Sequence, residues 1–232
     1  NFGISVSTEQ RAGPVAAFFD VDGTIVEATV VHYYAFYATL GFSRLKRILW
    51  TAAFLPKVAF YLLLDKLSRS TFNRVFYRNY GGMNAQILRD HSVDHFQQIM
   101  KPRLYMDALT RISEHRSRGV RVVLVTGSLD FIIEPLAASV EADDIIAVHM
   151  DDVDGHLSGT LTSEPIGDRE KARIIREYAE RNHIDLAASY GYADSSSDMP
   201  MLDAVGHATV VNPKSKLRRV AADRGWQIAD WK

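Results

Sequence analysis

The chain has 232 residues, of which 47% are apolar and 24% charged, and can form one good-sized domain with a substantial insertion or two small domains. Its 27 lysines and arginines nearly balance 28 acids, so no overall positive field favours nucleic acid. The absence of cysteine excludes disulfides, thiolate metal ligands and cysteine nucleophiles.

The start of the chain is polar and without periodicity, which predicts a flexible N-terminal arm over residues 1–13. The chain begins with Asn1, and no charged start followed by an apolar stretch indicates a signal peptide. The expected location is therefore the cytoplasm.

The first strong pattern is an unbroken run of strand-forming residues that leads from Val15 to Phe19 and stops at Asp20-Val21-Asp22-Gly23-Thr24. A strand that is apolar on both faces is typical of a parallel sheet, which presents ligand sites at the carboxyl ends of its strands. Side chains alternate along an extended segment, so Asp20 and Asp22 point the same way and can share a cation, or one can attack while the other transfers protons. The alternative is a polar turn without chemistry.

The next part of the chain, up to residue 103, is predicted to be entirely helical. We expect helices over Val30–Leu40, after a Ser43 cap, after a Ser70 cap, and over Asn84–Gln98. Eight basic residues and a single acid, Asp65, lie between positions 42 and 80.

Within this part, Ile48–Leu64 is unusually apolar: it holds 17 residues with one charge and is interrupted by Pro56. A membrane span is not expected, because the run is shorter than the roughly 20 residues required. One interpretation is a pair of buried helices broken at Pro56. The other is a surface with apolar rings on one side and basic residues at its edge, able to contact a bilayer or an acyl chain. The rings would be those of Trp50, Phe54, Phe60 and Tyr61, and the basic residues Arg44, Lys46 and Arg47.

After residue 103 the pattern alternates between strands and helices. Strands are predicted at Arg121–Val125, Ile145–His149, Leu186–Tyr192 and His207–Val211, with helices over Asp130–Ser139 and Gly167–Asn182 and a hairpin turn at Asp154-Gly155. Repeated strand–helix units predict an α/β fold, in which a Rossmann-like parallel sheet is flanked by helices.

Three later segments could complete a site around Asp20. Thr126-Gly127-Ser128 ends a buried strand and offers a hydroxyl and a glycine to an anion. Lys171 lies one turn into a helix, where its ammonium could neutralise a phosphate. Asp194 and Asp198 follow another strand, four positions apart, and carboxylate oxygens suit Mg²⁺. Each has a plainer interpretation, namely a strand end, a solvated lysine and a serine-rich turn.

These segments together resemble motifs I to IV of the haloacid dehalogenase (HAD) superfamily, in its phosphoserine-phosphatase-like branch, subfamily IB. The resemblance extends from Val15 to Ile228 and implies a HAD core over 14–28 and 104–232. It also implies an inserted, all-helical cap of the C1 type over 29–103.

The resemblance implies roles for the candidate residues. Asp20 would be the nucleophile and Asp22 the general acid/base, and an acid at the second position points to phosphatases rather than dehalogenases. Thr126, Gly127 and Lys171 would bind the substrate phosphate. The implied cofactor is Mg²⁺, held by Asp20, Asp194 and the backbone carbonyl of Asp22, while Asp198 would hold a metal-bound water or Lys171.

We therefore expect a Mg²⁺-dependent phosphomonoesterase that acts through an aspartyl-phosphate on a small or lipid-linked phosphate ester. Phosphoserine phosphatase is an alternative, but two positions depart from that enzyme's pattern: Thr29 stands where the resemblance implies a glutamate for the substrate ammonium, and Ser197 where it implies an asparagine. A further alternative is a non-catalytic phosphate-binding or membrane-surface protein on the same fold. The expected partner is the phosphate ester, with no nucleic acid and with peripheral membrane contact through the cap as an open interpretation.

Overall fold

The structure, a computed structural model, describes residues 13–162 and 164–232. The flexible arm predicted for residues 1–13 lies outside the described residues, apart from Gly13. The strands are β1 (Ala16–Phe19), β2 (Arg121–Leu129), β3 (Asp144–Val148), β4 (Met150–Val153), β5 (His156–Leu161), β6 (Tyr190–Ala193), β7 (His207–Val211) and β8 (Gln227–Ala229). The α-helices are α1 (Val30–Ala38), α2 (Arg44–Leu67), α3 (Arg69–Tyr77), α4 (Ala85–Asp90), α5 (Ser92–His95), α6 (Met106–Ser117), α7 (Asp130–Ser139), α8 (Arg169–Asn182), α9 (Met199–Leu202) and α10 (Ser215–Asp223).

Six strands form one parallel sheet in the order β3-β2-β1-β6-β7-β8. The central strand β1 is completely buried, as expected for an apolar run between two neighbours and two helical layers. The chain turns to one side of β1 for β2 and β3 and to the other side for β6, β7 and β8. A reversal of this kind leaves a crevice at the carboxyl ends of the strands, where α/β proteins bind ligands. The predicted α/β fold is confirmed.

Residues 29–103, all of which the structure describes, form helices and turns with a single isolated bridge from Asn84 to His156. His156 belongs to the β4–β5 hairpin. This hairpin lies within the predicted core range 104–232, but its backbone is hydrogen-bonded to the helical part. The Gly82 amide donates to the carbonyl of Leu157 at 2.9 Å, and the Leu157 amide donates to that of Met83 at 2.8 Å. The hairpin thus extends the cap, while the predicted boundaries 14–28, 29–103 and 104–232 stay predictions.

The structure corrects the expected break at Pro56, because α2 is one continuous helix of 24 residues. Pro56 lies on its exposed side, where water can solvate the carbonyl that loses its hydrogen-bond donor. Most of α2 is also exposed, so the expected burial of this segment is wrong as well. Phe54 and Tyr61 pack inward and Trp50 is half-buried, so the predicted surface of aromatic rings is also wrong, except for Phe60.

Other differences are local. The predicted Asn84–Gln98 helix is divided at His91 into α4 and α5, and a π-helical turn follows α5 over Phe96–Met100. The strand predicted over Leu186–Tyr192 begins only at Tyr190, after a short 3₁₀ helix. The cap of α3 is Ser68 rather than Ser70, because the Ser68 side chain accepts a hydrogen bond from the Thr71 amide.

Candidate active site

Three neighbouring strands of the sheet bring the candidate residues to one edge. Asp20 and Asp22 follow β1, Thr126 and Gly127 lie in the last part of β2, and Asp194 follows β6. Because β2, β1 and β6 are parallel neighbours, their carboxyl ends meet at the same side of the sheet.

The turn after β1 depends on Gly23. Its φ of +93° lies in the region that glycine adopts without strain, and its amide donates to the carbonyl of Val26 at 2.8 Å. A Cβ atom at this position would lie 2.4 Å from Oδ2 of Asp194. Glycine therefore allows the Asp194 carboxylate to lie directly against the turn that carries Asp20 and Asp22.

Asp20, Asp194 and Asp198 form a cluster of carboxylates. Each contributes an oxygen, and these oxygens all lie within 4.8 Å of one another. Burial and the neighbouring charges of Asp198 and Asp22 raise the pKa of Asp20 to about 6, despite the opposing effect of Lys171. Burial and the charges of Asp20 and Asp198 raise the pKa of Asp194 to about 8.

Lys171 is the cation that the structure places against this cluster. Its Nζ atom donates to Oδ1 of Asp20 at 2.5 Å and pairs with Oδ1 of Asp198 at 2.7 Å, and the side chain is 4% exposed. Burial lowers the pKa of Lys171, but the Asp198 and Asp20 carboxylates more than offset this and raise it overall. One lysine therefore faces three carboxylates.

Asp22 points away from the cluster toward β2. Its Oδ2 atom accepts hydrogen bonds from the Thr126 hydroxyl at 3.0 Å and the Ser128 hydroxyl at 2.9 Å. Its Oδ1 atom is buried and has no hydrogen-bond partner among the described residues. A carboxyl group fixed through one oxygen and free at the other is suited to proton exchange with a bound molecule.

Helix α3 of the cap presents a row of side chains to the same place, because Arg69, Asn73 and Tyr77 follow each other at intervals of one helical turn. The Tyr77 hydroxyl donates to the Gly127 carbonyl at 2.6 Å. A Cβ atom on Gly127 would lie 3.0 Å from Nδ2 of Asn73 and 2.8 Å from the Ile166 carbonyl oxygen. The cap is thus closed on the core, and only glycine fits at position 127.

Nδ2 of Asn73 and the hydroxyl of Tyr33 are among the buried polar groups of the cap that lack hydrogen-bond partners in the described residues. Both side chains are at most 1% exposed. Burial and the nearby Asp22 carboxylate raise the pKa of Tyr33 well above its ordinary value. Unpaired donors near Asp22 and Gly127 are what a chamber for a polar molecule would offer.

A divalent cation fits the donor set of the carboxylate cluster. The cluster offers only oxygen ligands, which hard cations such as Mg²⁺ prefer. Burial first, and then repulsion between the carboxylates, keep the pKa values of Asp20 and Asp194 raised although Lys171 lies beside the cluster. A cation among these carboxylates would remove that repulsion.

All seven candidate residues thus lie at one edge of the sheet, and the roles assigned to them stay predictions. The sequence analysis missed several neighbours, and two of them could have been found inside the motifs. Thr24, whose hydroxyl donates to Oδ2 of Asp20 at 3.0 Å, belongs to the Asp-Gly-Thr turn, and Ser128 directly follows Gly127. Tyr33, Asn73 and Tyr77 carry no local sequence signal, because only the docking of the cap brings them to the site.

The sequence was compared with known proteins. A family model described as haloacid dehalogenase-like hydrolase matches residues 17–203. The chain is 33% identical to an "inhibition of morphological differentiation protein" of Streptomyces azureus, over 93% of this chain and 78% of that protein. It is 33% identical to a "probable phosphatase" of Mycobacterium tuberculosis (92% and 74%) and 28% identical to a phosphoserine phosphatase of the same organism (99% and 76%).

Solved structures share the fold. A protein of unknown function from Bordetella pertussis Tohama I superposes with a TM-score of 0.79 at 21% identity, covering 94% of this chain and 99% of that one. A structure described as a phospho-aspartyl intermediate analogue of phosphoserine phosphatase has a TM-score of 0.69 at 18% identity, covering 94% and 93%.

Proposed function

This chain belongs to the haloacid dehalogenase-like hydrolases and is a phosphatase of that family, and from this premise we propose that it is a Mg²⁺-dependent phosphomonoesterase in which Asp20 forms an aspartyl-phosphate. The observation that carries the proposal is the position of Asp20. Its carboxylate is bound by buried Lys171, lies in a cluster of carboxylates and is two residues from the unpaired Oδ1 of Asp22.

In the first step an oxygen of Asp20 attacks phosphorus, and the bond from phosphorus to the ester oxygen breaks. The departing alcohol takes a proton from Asp22. In the second step Asp22 takes a proton from a water molecule, whose oxygen attacks phosphorus and releases Asp20 and inorganic phosphate. The hydrogen bond from Ser128 holds Asp22 in one orientation during both transfers, and that from Thr126 does so until its hydroxyl turns to the phosphate.

Lys171 has two tasks in this proposal. It orients Asp20 through the 2.5 Å contact, and its charge lowers the repulsion that an incoming phosphate would meet from three carboxylates. Thr126 and the Gly127 amide are the proposed donors to the phosphate oxygens. Mg²⁺ held by Asp20, Asp194 and the Asp22 backbone carbonyl, with Asp198 behind them, would supply charge neutralisation when bound.

The proposed substrate is a small or lipid-linked phosphate ester. Phosphoserine is the second candidate, and the relative named phosphoserine phosphatase favours it. Against it, the position implied for the ammonium-binding glutamate is Thr29, whose hydroxyl lies 3.1 Å from Nδ1 of His32, and the nearby Glu27 is exposed. Nucleic acid is not proposed as a partner, and the cytoplasmic location remains an expectation.

The test is phosphate release from p-nitrophenyl phosphate by the wild-type chain and by Asp20→Asn. We expect activity that requires Mg²⁺, stops with EDTA and falls at least about 10³-fold in the variant, because the nucleophile is lost. Asp223→Asn is the matched control, since Asp223 is an exposed aspartate of α10 and its replacement should leave the rate unchanged. Activity that survives EDTA or Asp20→Asn would contradict the proposal, and binding of phosphate without turnover would favour the non-catalytic alternative.

A further inference from the structure

The outer side of α2 is apolar and exposed, which is unusual for a helix of a globular domain. Leu45 is 68% exposed and Ile48 65%, and the same side continues to the end of the helix. The residues of this apolar face are Leu45, Ile48, Leu49, Leu55, Leu62 and Leu63.

The inner side of α2 fixes which residues face outward. Phe54 and Tyr61, seven positions apart, are buried. Tyr61 packs edge-on against Phe76 at 5.2 Å between ring centroids and accepts a hydrogen bond from Asn79 at 2.7 Å. Because positions seven apart share one side of a helix, the apolar face lies opposite to this anchored side.

By length and composition α2 is the one helix in the described part of the chain that could cross a membrane. The anchored side argues against a crossing, since a helix packed on α1 and α3 through aromatic side chains is not free to be surrounded by lipid. A helix with one anchored side and one apolar side is suited instead to lie along an interface.

The charged residues at the border of the apolar face indicate which kind of interface it would contact. Arg44, Lys46 and Lys57 are exposed, and Lys46 and Lys57, eleven positions apart, lie along the same edge of the face. The one acid of α2, Asp65, pairs with Arg69 at 2.7 Å. Anionic lipid headgroups complement such a border, whereas a second copy that met it with the same face of α2 would bring further basic residues to it.

The apolar face leads to an open cleft that reaches the carboxylate cluster at Asp194 and is here called the catalytic cleft. Leu67, the last residue of α2, is 75% exposed and lines this cleft of about 660 Å³ together with Asp194. Arg69 lines the same cleft from the cap, and Lys214 and Lys216 line it from the core. The lining also contains the acids Asp65 and Asp168. A helix lying on a bilayer would bring this opening to the level of the headgroups.

We propose that α2 docks the chain on the surface of an anionic lipid bilayer and that the catalytic cleft takes the phosphomonoester headgroup of a lipid from that surface. The substrate part of this inference rests on the proposed phosphatase function. The docking part does not, because it follows from the apolar face and its basic border alone.

Flotation of the full chain with lipid vesicles tests the docking. We expect the wild type to float with vesicles of phosphatidylcholine containing phosphatidylglycerol, to float less with phosphatidylcholine alone and to be released by high salt. The variant Ile48→Gln/Leu55→Gln/Leu62→Gln should bind at least about tenfold more weakly, since it removes three apolar contacts from the face. The matched control, Ile87→Gln/Val93→Gln/Met106→Gln, changes three exposed apolar residues away from α2 and should float like the wild type.

Circular dichroism checks that both triple variants are folded, which the exposure of all six positions favours. Three outcomes would overturn the docking. They are no flotation of the wild type, equal flotation of the α2 variant and the wild type, or a concentration-dependent dimer in sedimentation that only the α2 variant abolishes. The last outcome would assign the face to a second copy of this chain.

Phosphate release from vesicles that contain phosphatidic acid tests the substrate. We expect the α2 variant to lose at least about tenfold in rate on these vesicles and to keep the wild-type rate on p-nitrophenyl phosphate. Turnover of p-nitrophenyl phosphate without turnover of phosphatidic acid would overturn the lipid substrate, while docking would still be decided by flotation. A wild type that floats but hydrolyses neither compound would instead contradict the proposed phosphatase function.

Discussion

Replacement of Lys171 by methionine keeps the length of a buried side chain and removes the one ammonium that contacts both Asp20 and Asp198. Removal of one partner from a buried ion pair costs about 3–5 kcal/mol, because the remaining charge is left in a medium of low dielectric constant. Protonation of one carboxyl group limits the loss. For a carboxyl group with the ordinary pKa of 3.8, protonation at pH 7.5 costs about 5 kcal/mol, at 1.36 kcal/mol for each unit by which the pH exceeds the pKa. This cost is the upper limit of the loss of stability.

We therefore expect Lys171→Met to lower the free energy of unfolding by about 3–5 kcal/mol at pH 7.5 in EDTA, as measured by urea denaturation. Excess Mg²⁺ should reduce this deficit, since a cation that binds only the folded carboxylate cluster stabilises the variant by mass action. Lys101→Met is the control, because Lys101 is exposed and contacts only Gln97 through its ammonium, so its loss should change little. A Lys171→Met protein within about 1 kcal/mol of the wild type in EDTA would refute the description of a buried, charged cluster.

Three further predictions each concern a single residue. In His95, whose two ring nitrogens are buried without partners among the described residues, burial lowers the pKa from 6.5 to about 3. The stability due to its neutral ring is complete above pH 6.5 and is lost as the pH falls toward 3, so between pH 7.5 and 5.5 the wild type should lose about 1.4 kcal/mol more than His95→Leu in urea titrations. An equal loss in both proteins would contradict this, and His156→Leu, at an exposed position, is the control. Asp22→Asn should lower kcat/KM, which reports the first phosphoryl transfer, about 10²–10⁴-fold on an alkyl phosphate and less on p-nitrophenyl phosphate, whose leaving group needs no proton; equal deficits in kcat/KM on both would remove the general-acid role. Gly127→Ala should cost about 1–3 kcal/mol of stability, because its Cβ would lie 2.8 Å from the Ile166 carbonyl oxygen of the core and 3.0 Å from Nδ2 of Asn73 in the cap, and an unchanged urea midpoint would contradict the close packing described around Gly127.

The site residues of the core could be predicted from the sequence because strand ends carry their own signals. The apolar run before Asp20 and the run before Thr126 each identify a buried strand, and parallel neighbours necessarily end at the same edge. Lys171 was harder to predict as a site residue, because a lysine one turn into a helix is usually solvated. Only the resemblance to a family identified Lys171 as a candidate, and in the structure its side chain is buried against Asp20.

The cap could be predicted as helical but not in its details. Pro56 indicates a helix break by its missing amide, yet inward packing on both sides of it, at Phe54 and Tyr61, holds α2 continuous. The prediction of which side of α2 faces the core was also wrong. Aromatic and aliphatic side chains are both apolar, so periodicity alone does not say which of them faces the core. Contacts such as that from Tyr77 to Gly127 join positions 50 residues apart and depend on how the cap docks.

The turn between α2 and α3 joins the proposed docking face to the catalytic chamber. Leu67 ends α2, Ser68 caps α3, and Arg69 begins the row that continues through Asn73 to Tyr77 and its hydrogen bond to Gly127. A rigid helix transmits its orientation along its whole length, so a surface that fixes α2 also restricts how α3 can move away from β2. Opening of the closed cap, which a substrate requires, would then be coupled to the bilayer rather than independent of it.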